Sequence, residues 1–297
     1  MNKTEVLITL LGWEERFTLG INLTIEQANP RQLILLYCSK YTERTARSRQ
    51  LLEDLCKKKS IEIVNQEFSY NEPVKTWNGL KDCFVRHIKS KETCLVDITT
   101  MPRDIIWTSF HFLTALDARV DYIYYPPTQY SQDWLSRESL TPRLIYQHSG
   151  IFEFSRKTAL LVATGFDSER TEQLINFFEP EKTLLVFQTG DRFSNIKFNI
   201  GKHEFLLKKS YDIQKLEVNF YSADHGFSLI ENEISNSQEK YNWIFCSLGP
   251  KLSAVSLYKI HCKYTGTALA YVPSNEYNPD YSVGIAEGIY GSLFAEE

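Results

Sequence analysis

At 297 residues, with 43% hydrophobic and 24% charged residues, the chain has the composition of an ordinary folded protein, which excludes a disordered or fibrous one. A net charge of −4 argues against sequence-independent binding of duplex DNA through bulk charge, although a local basic pocket is compatible with it. The six cysteines form no C-x-x-C pair and no zinc spacing with the six histidines, so they read as small apolar residues in a reducing cytoplasm. No stretch reaches eighteen consecutive apolar residues and the N-terminus lacks a signal-peptide pattern, which predicts a cytosolic protein without a membrane partner. The 18 Phe, 17 Tyr and 5 Trp could feed interfaces or base-stacking surfaces, with core packing the plainer use.

In chain order, strands are expected near 5–11, 33–38, 61–68, 93–98 and 119–125, with helices near 42–59, 73–90 and 103–116. The runs Leu33-Ile34-Leu35-Leu36-Tyr37 and Cys94-Leu95-Val96-Asp97-Ile98 are apolar on both faces, as in parallel strands covered by helices above and below. Leu51, Leu52 and Leu55 form the expected docking stripe of the helix from Thr42 to Lys59. Pro126-Pro127 through Pro142 reads as an extended excursion, and Gln147-His148-Ser149-Gly150 as the join between two domains, 1–150 and 151–297.

The second half repeats the order: strands near 159–164, 183–188, 216–221, 242–247 and 267–272, helices near 168–178, 225–239 and 250–264. The piece from Asn195 to Tyr211 yields no element. The tail from Pro273 to Gly291, rich in Tyr, Asn, Gly and Pro, reads as an interface arm or, alternatively, as a loop folded across a site.

The halves are related. Leu10-Leu11-Gly12-Trp13-Glu14-Glu15-Arg16 is answered by Ala163-Thr164-Gly165-Phe166-Asp167-Ser168-Glu169-Arg170, and Thr99-Thr100-Met101-Pro102-Arg103 by Ser247-Leu248-Gly249-Pro250-Lys251. The fold expected is α/β: two tandem Rossmann-like domains with mainly parallel five-stranded sheets, ordered 3-2-1-4-5 and related by internal duplication. In that order the crevice at the switch point lies between strands one and four, where the two halves are most alike.

Those turns suit an anionic ligand, because helix N-termini offer unpaired N–H groups and a positive dipole end. Arg103 and Lys251 would supply charge, Thr99, Thr100 and Ser247 hydroxyl contacts, and Gly12, Gly165 and Gly249 close backbone approach. Trp13, Phe166, Arg16 and Arg170 complete the candidate set; Glu15, Arg16, Glu169 and Arg170 could instead tie the turns together by ion pairs. Thr99 to Pro102 is also an ordinary helix start, with hydroxyl caps and an early proline. The acids Glu14, Glu15, Asp167 and Glu169 fit capping ahead of acid–base work, and Asp224-His225 fits the opening of a helix as well as catalysis. His87, His111 and His261 lie on expected helices without a metal-binding pattern, and Thr189-Gly190-Asp191-Arg192 reads as a turn that could touch a ribose or phosphate. P-loop, G-x-G-x-x-G, H-E-x-x-H and G-x-S-x-G motifs are absent, so neither a catalytic residue nor a cofactor is assigned.

The order of elements and Asp97-Ile98-Thr99-Thr100-Met101-Pro102-Arg103 resemble the CRISPR-associated Rossmann fold (CARF) family, whose fourth strand typically ends in an Asp-Ile-Thr-Gly-Gly-Thr-Lys-like turn. Asp97-Ile98-Thr99 matches, Thr100 and Met101 stand where the glycines would be, and the second half keeps Gly249 and Lys251 without the Asp-Ile-Thr. The resemblance implies a nucleotide-sensing or assembly subunit of a prokaryotic defence system, recognising a cyclic oligoadenylate or related nucleotide and acting through an effector or complex partner protein. Two alternatives stand beside it: a structural scaffold with empty crevices, and an enzyme cleaving a nucleotide or cyclic oligonucleotide.

Overall fold

The structure is a computed structural model that describes residues 4–131, 133–190, 196–208 and 212–294. It divides into two compact units, the first made of residues 1–134 with 278–297 and the second of residues 135–277. The division differs from 1–150 and 151–297 because the tail from Asn278 onward belongs to the first unit, while the segment around Gln147 lies inside the second.

The first unit contains β1 (Val6–Leu10), α1 (Glu15–Ala28), β2 (Gln32–Tyr37), α2 (Thr42–Lys59), β3 (Glu62–Glu67), α3 (Pro73–His87), β4 (Thr93–Asp97), α4 (Arg103–Ala115), β5 (Arg119–Tyr124) and the short β6 (Gln129–Tyr130). Next come β7 (Ser136–Ser139) and β8 (Arg143–Leu144), then β9 (Lys157–Ala163), α5 (Ser168–Phe178), β10 (Lys182–Gln188), α6 (Ile196–Leu207), β11 (Asp212–Val218), α7 (Phe227–Ser235), β12 (Tyr241–Ser247), α8 (Lys251–Lys263) and β13 (Ala268–Tyr271). The tail carries β14 (Ser274–Tyr277), β15 (Ser282–Val283) and β16 (Ile289–Ser292).

Each unit is a Rossmann-like α/β domain, with five parallel strands in the expected 3-2-1-4-5 order: β3-β2-β1-β4-β5 in the first and β11-β10-β9-β12-β13 in the second. The sheets have six strands rather than five. The sixth is antiparallel and comes from the end of the other repeat: β16 pairs with β5 and β8 with β13. Two small ribbons cross in the same manner, β15 on β6 and β14 on β7. The repeats thus exchange arms, and the exchanged strand covers the β5 or β13 edge that would otherwise expose unpaired backbone groups.

The central strands are apolar because helices cover both faces: Val6, Leu7, Ile8, Leu33, Ile34, Leu35 and Leu36 are all 0% exposed. Helix α1 is not anticipated by the pattern, since Gly20, Thr24 and β-branched Ile21 and Ile25 are weak helix formers. It forms because Phe17, Ile21, Ile25 and Ala28 bury against β1 and β2, and Gly20 lets the helix close on Tyr125, whose Cδ2 would sit 2.7 Å from an added Cβ. In α2 the buried stripe is Thr45, Ser48, Leu52 and Cys56; Leu51 is exposed, because it projects a residue away from that face. Helix α6 occupies most of the stretch that yields no element by sequence, and residues 209–211 there, like Asn195, lie outside the described residues. All six cysteines are free thiols, and burial raises Cys56 and Cys83 to about 11. Among the described residues no helix is long and apolar enough to cross a membrane.

Candidate functional site

In the first unit, β1 and β4 lie side by side and their turns touch. Thr100 Oγ1 donates to the Leu10 carbonyl at 2.6 Å, and a Cβ on Gly12 would lie 2.7 Å from Thr100 Cγ2. Gly12 is therefore required for turn-to-turn packing. Beneath them, Thr9 Oγ1 donates to Asp97 Oδ2 at 3.1 Å, the Thr99 amide to Asp97 Oδ1 at 3.0 Å, and the Tyr125 amide to Thr99 Oγ1 at 3.0 Å. Burial pushes the Asp97 carboxyl up, against the pull of its bonds to Thr99 and Thr9 and of the Arg16 charge. Helix α4 begins after Pro102 with no side-chain cap, so Thr99 and Thr100 serve the sheet and the strand-one turn rather than cap the helix. Arg103, at the first position of α4, is half-buried, as are Trp13 and Thr100.

The second unit repeats the contact with different atoms. A Cβ on Gly165 would collide with the Leu248 carbonyl, and one on Gly249 would lie 2.7 Å from the Thr164 carbonyl oxygen. Ser247 Oγ is buried and meets Ser253 Oγ at 2.7 Å, while Ser253 donates to the Pro250 carbonyl at 2.8 Å. Lys251 opens α8 and is buried; Phe166 is half-buried. Thus Gly12, Thr99, Thr100 and Arg103 are brought together at one turn pair, and Gly165, Ser247, Gly249 and Lys251 at the other.

The two arginines lie deeper. Arg16 is 3% exposed and pairs with Glu14, Nε to Oε2 at 2.8 Å and Nη2 to Oε1 at 3.1 Å, rather than with Glu15. Burial opposes its charge, but Glu14, Tyr130 and Tyr124 outweigh this and hold the guanidinium protonated. The tail closes over the pair: Ser282 Oγ donates to Glu14, the Gly284 amide to Glu15 Oε2 at 3.3 Å, and the Tyr281 ring lies 5.7 Å from the Arg16 guanidinium carbon. The tail is thus a segment folded across the strand-one turn.

Arg170 follows the same plan with other partners: it donates to the Val272 carbonyl and to Ser136 Oγ at 3.4 Å, and lies 5.9 Å from the Tyr271 ring, in place of an ion pair between the turns. Asp167 accepts from the Arg170 amide at 3.2 Å and caps α5, as the capping reading of that acid predicts. Asp224 likewise accepts from the Gly226 and Ser228 amides and opens α7, and its carboxyl is lowered to about 2 by these bonds, which outweigh its burial.

A tyrosine pair recurs beside each arginine. The Tyr124 and Tyr130 hydroxyls lie 3.2 Å apart, and those of Tyr271 and Tyr277 lie 3.4 Å apart. The members are 147 residues apart in both cases, within Tyr124-Tyr125-Pro126-Pro127-Thr128-Gln129-Tyr130 and Tyr271-Val272-Pro273-Ser274-Asn275-Glu276-Tyr277. This third echo is the legible signal for the arms that sequence reasoning missed. Of the Thr189-to-Arg192 turn, Gly190 takes a φ of +100°, and Asp191 and Arg192 lie outside the described residues. His261 meets His148, Nε2 to Nδ1 at 2.8 Å, and among the described residues no group of three potential metal ligands occurs.

Among solved structures the chain is similar to a type III CRISPR defence DNA nuclease activated by cyclic oligoadenylate, at 8% identity and a TM-score of 0.59, over 95% of this chain and 68% of that one. The likeness is one of fold. It agrees with the CARF-like layout read from the strand-one and strand-four turns. The cytoplasmic domain of a prokaryotic cation chloride cotransporter (8% identity, 93% of this chain and 98% of that one, TM-score 0.29) and a universal stress protein from Archaeoglobus fulgidus (9%, 90% and 95%, TM-score 0.26) share too little geometry to carry an argument. No protein-family model matches the chain, and no curated protein does.

Proposed function

We propose that the chain is a nucleotide-sensing or regulatory subunit of a prokaryotic defence system, with the ligand taken at the paired turns and the output passed to a partner protein. The observation that carries this reading is the recurrence, at the switch point of both sheets, of a glycine turn packed on a strand-four turn that ends in a cation, Arg103 or Lys251. Fold likeness to a nuclease activated by cyclic oligoadenylate makes that compound the first ligand to try. Thr99, Thr100 and Ser247, whose hydroxyls are engaged internally, act as supports. Arg103, Trp13, Phe166 and Lys251 make the contacts.

A second reading has its own observation. The turns touch directly and the buried arginines are already paired, which is what a scaffold with closed crevices requires. A thermal-shift screen against cyclic oligoadenylates, cyclic dinucleotides and mononucleotides separates the two, since a ligand at 100 times its Kd stabilises by about 2.7 kcal/mol. Sensing predicts a shift lost in Arg103→Ala or Lys251→Ala; no shift with any of these ligands in folded protein gives the scaffold reading.

A further inference from the structure

Arg16 and Arg170 hold the same place in the two repeats, and only Arg16 meets a counter-charge. Arg16 is 3% exposed and gives Nε and Nη2 to the two carboxylate oxygens of Glu14, at 2.8 and 3.1 Å. Arg170 is 8% exposed; its Nη2 donates to the Val272 carbonyl, and its Nη1 reaches Ser136 Oγ at 3.4 Å. Its Nε is buried with no acceptor, and among the described residues no carboxylate forms an ion pair with its guanidinium. Two neutral oxygens thus bond Arg170 without neutralising it, and a guanidinium does not shed its proton. A buried cation is stable when an opposite charge and full hydrogen bonding replace its lost hydration.

The difference arises at the helix starts. Glu14 precedes α1 and makes no capping bond, which leaves its carboxylate to Arg16 at the second helical position. Asp167 precedes α5, is one methylene shorter, and spends Oδ1 on the Arg170 amide; Arg170 stands at the third position, about 100° further round its helix. Arg170 follows β9 and bonds Val272 after β13, and β12 lies between those strands, so the guanidinium crosses the carboxyl end of β12 at the switch point. The N-terminus of the 11-residue α5 and the buried Lys251 at the start of α8 add positive potential there. Ser136 pairs with Tyr277 in the β7–β14 ribbon, which has four residues in each strand and no third strand to hold it, so the ribbon can lift from the arginine.

We propose that Arg170 is the receptor for a phosphate group in the second unit: the oxyanion enters as the β7–β14 ribbon lifts and takes, on the Nε edge of Arg170, the place that the Glu14 carboxylate has on Arg16. A guanidinium fork suits two oxygens of one anion. The first unit, neutralised from within, takes no phosphate at Arg16. The site rests on the sensing reading only for the source of the phosphate, a nucleotide. Its receptor lies outside the contacts given to Arg103 and Lys251, so either can fail alone.

The test is thermal unfolding and calorimetric titration of the full chain in inorganic phosphate against chloride at equal ionic strength, and then with 5′-AMP and cyclic tetra-adenylate. Phosphate is expected to bind saturably and to raise the melting temperature beyond chloride. Arg170→Lys, which keeps the charge and loses the planar fork, should weaken binding roughly tenfold or more. Arg170→Met should abolish binding yet leave the phosphate-free protein at least as stable as the wild type, because it removes a buried charge that lacks a counter-ion. Lys240→Ala, which removes an exposed cation just before β12, should leave the affinity unchanged. Equal binding of inorganic phosphate and AMP marks the free group as the ligand; tighter binding of cyclic tetra-adenylate marks the oligonucleotide.

Two results overturn the proposal: phosphate that stabilises no more than chloride in protein that melts cooperatively, or wild-type phosphate affinity in Arg170→Lys. Should Arg170→Met fail to fold, Arg170→Lys decides alone. Nucleotide binding lost in Arg103→Ala and intact in Arg170→Lys would overturn this site and leave the turn-pair reading standing.

Discussion

Arg16 and Glu14 stand two residues apart in sequence and face each other through two hydrogen bonds in the interior, with side chains 3% and 10% exposed. A buried pair of this kind contributes little when both members are replaced by apolar residues, and a great deal when one is left alone. Glu14→Gln is therefore expected to destabilise the first unit by about 3–5 kcal/mol, and Glu14→Leu/Arg16→Met to recover most of that loss. Denaturant unfolding of the two singles and the double would measure it; additive effects would show that the pair is not coupled.

The two central glycines of the second unit have opposite substitution costs. Gly165→Ala pushes a methyl into the Leu248 carbonyl and should cost about 1–3 kcal/mol, while nothing lies within 4 Å of a Cβ on Gly201, inside α6. Gly201→Ala should stabilise by about 0.5–1 kcal/mol through helix propensity. Melting temperatures that move in the same direction for both would contradict the packing described.

His203 is fully buried between Thr171 and the Asn199 carbonyl, at 3.0 and 2.9 Å. Since a carbonyl only accepts, Nδ1 carries the proton and Nε2 accepts from the Thr171 hydroxyl. Burial lowers its pKa from 6.5, so the unfolded chain takes up protons first as pH falls. Stability is fully retained above pH 6.5 and declines below it towards the native value. Unfolding free energies measured between pH 7.5 and 5 should fall, with a shallower slope in His203→Gln; an equal slope would assign the effect elsewhere.

Arm exchange has a direct consequence for a cut chain. Residues Ile151, Phe152 and Phe154 are 63%, 59% and 97% exposed, which makes this stretch a suitable place for an engineered protease site. After cleavage there, one fragment still holds β7 and β8 in the second unit and the other holds β15 and β16 in the first. The fragments should co-elute on native gel filtration and part only in denaturant. Separation without denaturant would show that the exchanged strands do not hold the repeats.

The local pattern was enough for the sheet. Runs such as Leu33 to Leu36 can be apolar on both faces only if helices cover both, and the recurrence of Gly12 and Gly165, and of Pro102 and Pro250, marked the duplication and the strand order. It was not enough for α1, where Gly20 and the β-branched residues lower helix propensity and burial against β1, β2 and Tyr125 overrides it. The same limit applied to the site. Thr99, Thr100 and Ser247 were legible as hydroxyls at the right turns, but which atoms they bond depends on how closely two strands pack, a distance that spacing does not encode.

By itself, then, the sequence determined the five parallel strands of each repeat, most of their helices, the strand order and the twofold repetition, because each follows from the period and apolarity of a few neighbouring residues. Tertiary structure alone decided that Arg16 turns to Glu14, that the Tyr281 segment closes over it, and that each repeat lends its last strands to the other's sheet. The last two join residues more than a hundred positions apart, as in β8 with β13 and β16 with β5. They are settled by which edge is open and which charge is buried, and neither is a property of any local stretch of chain.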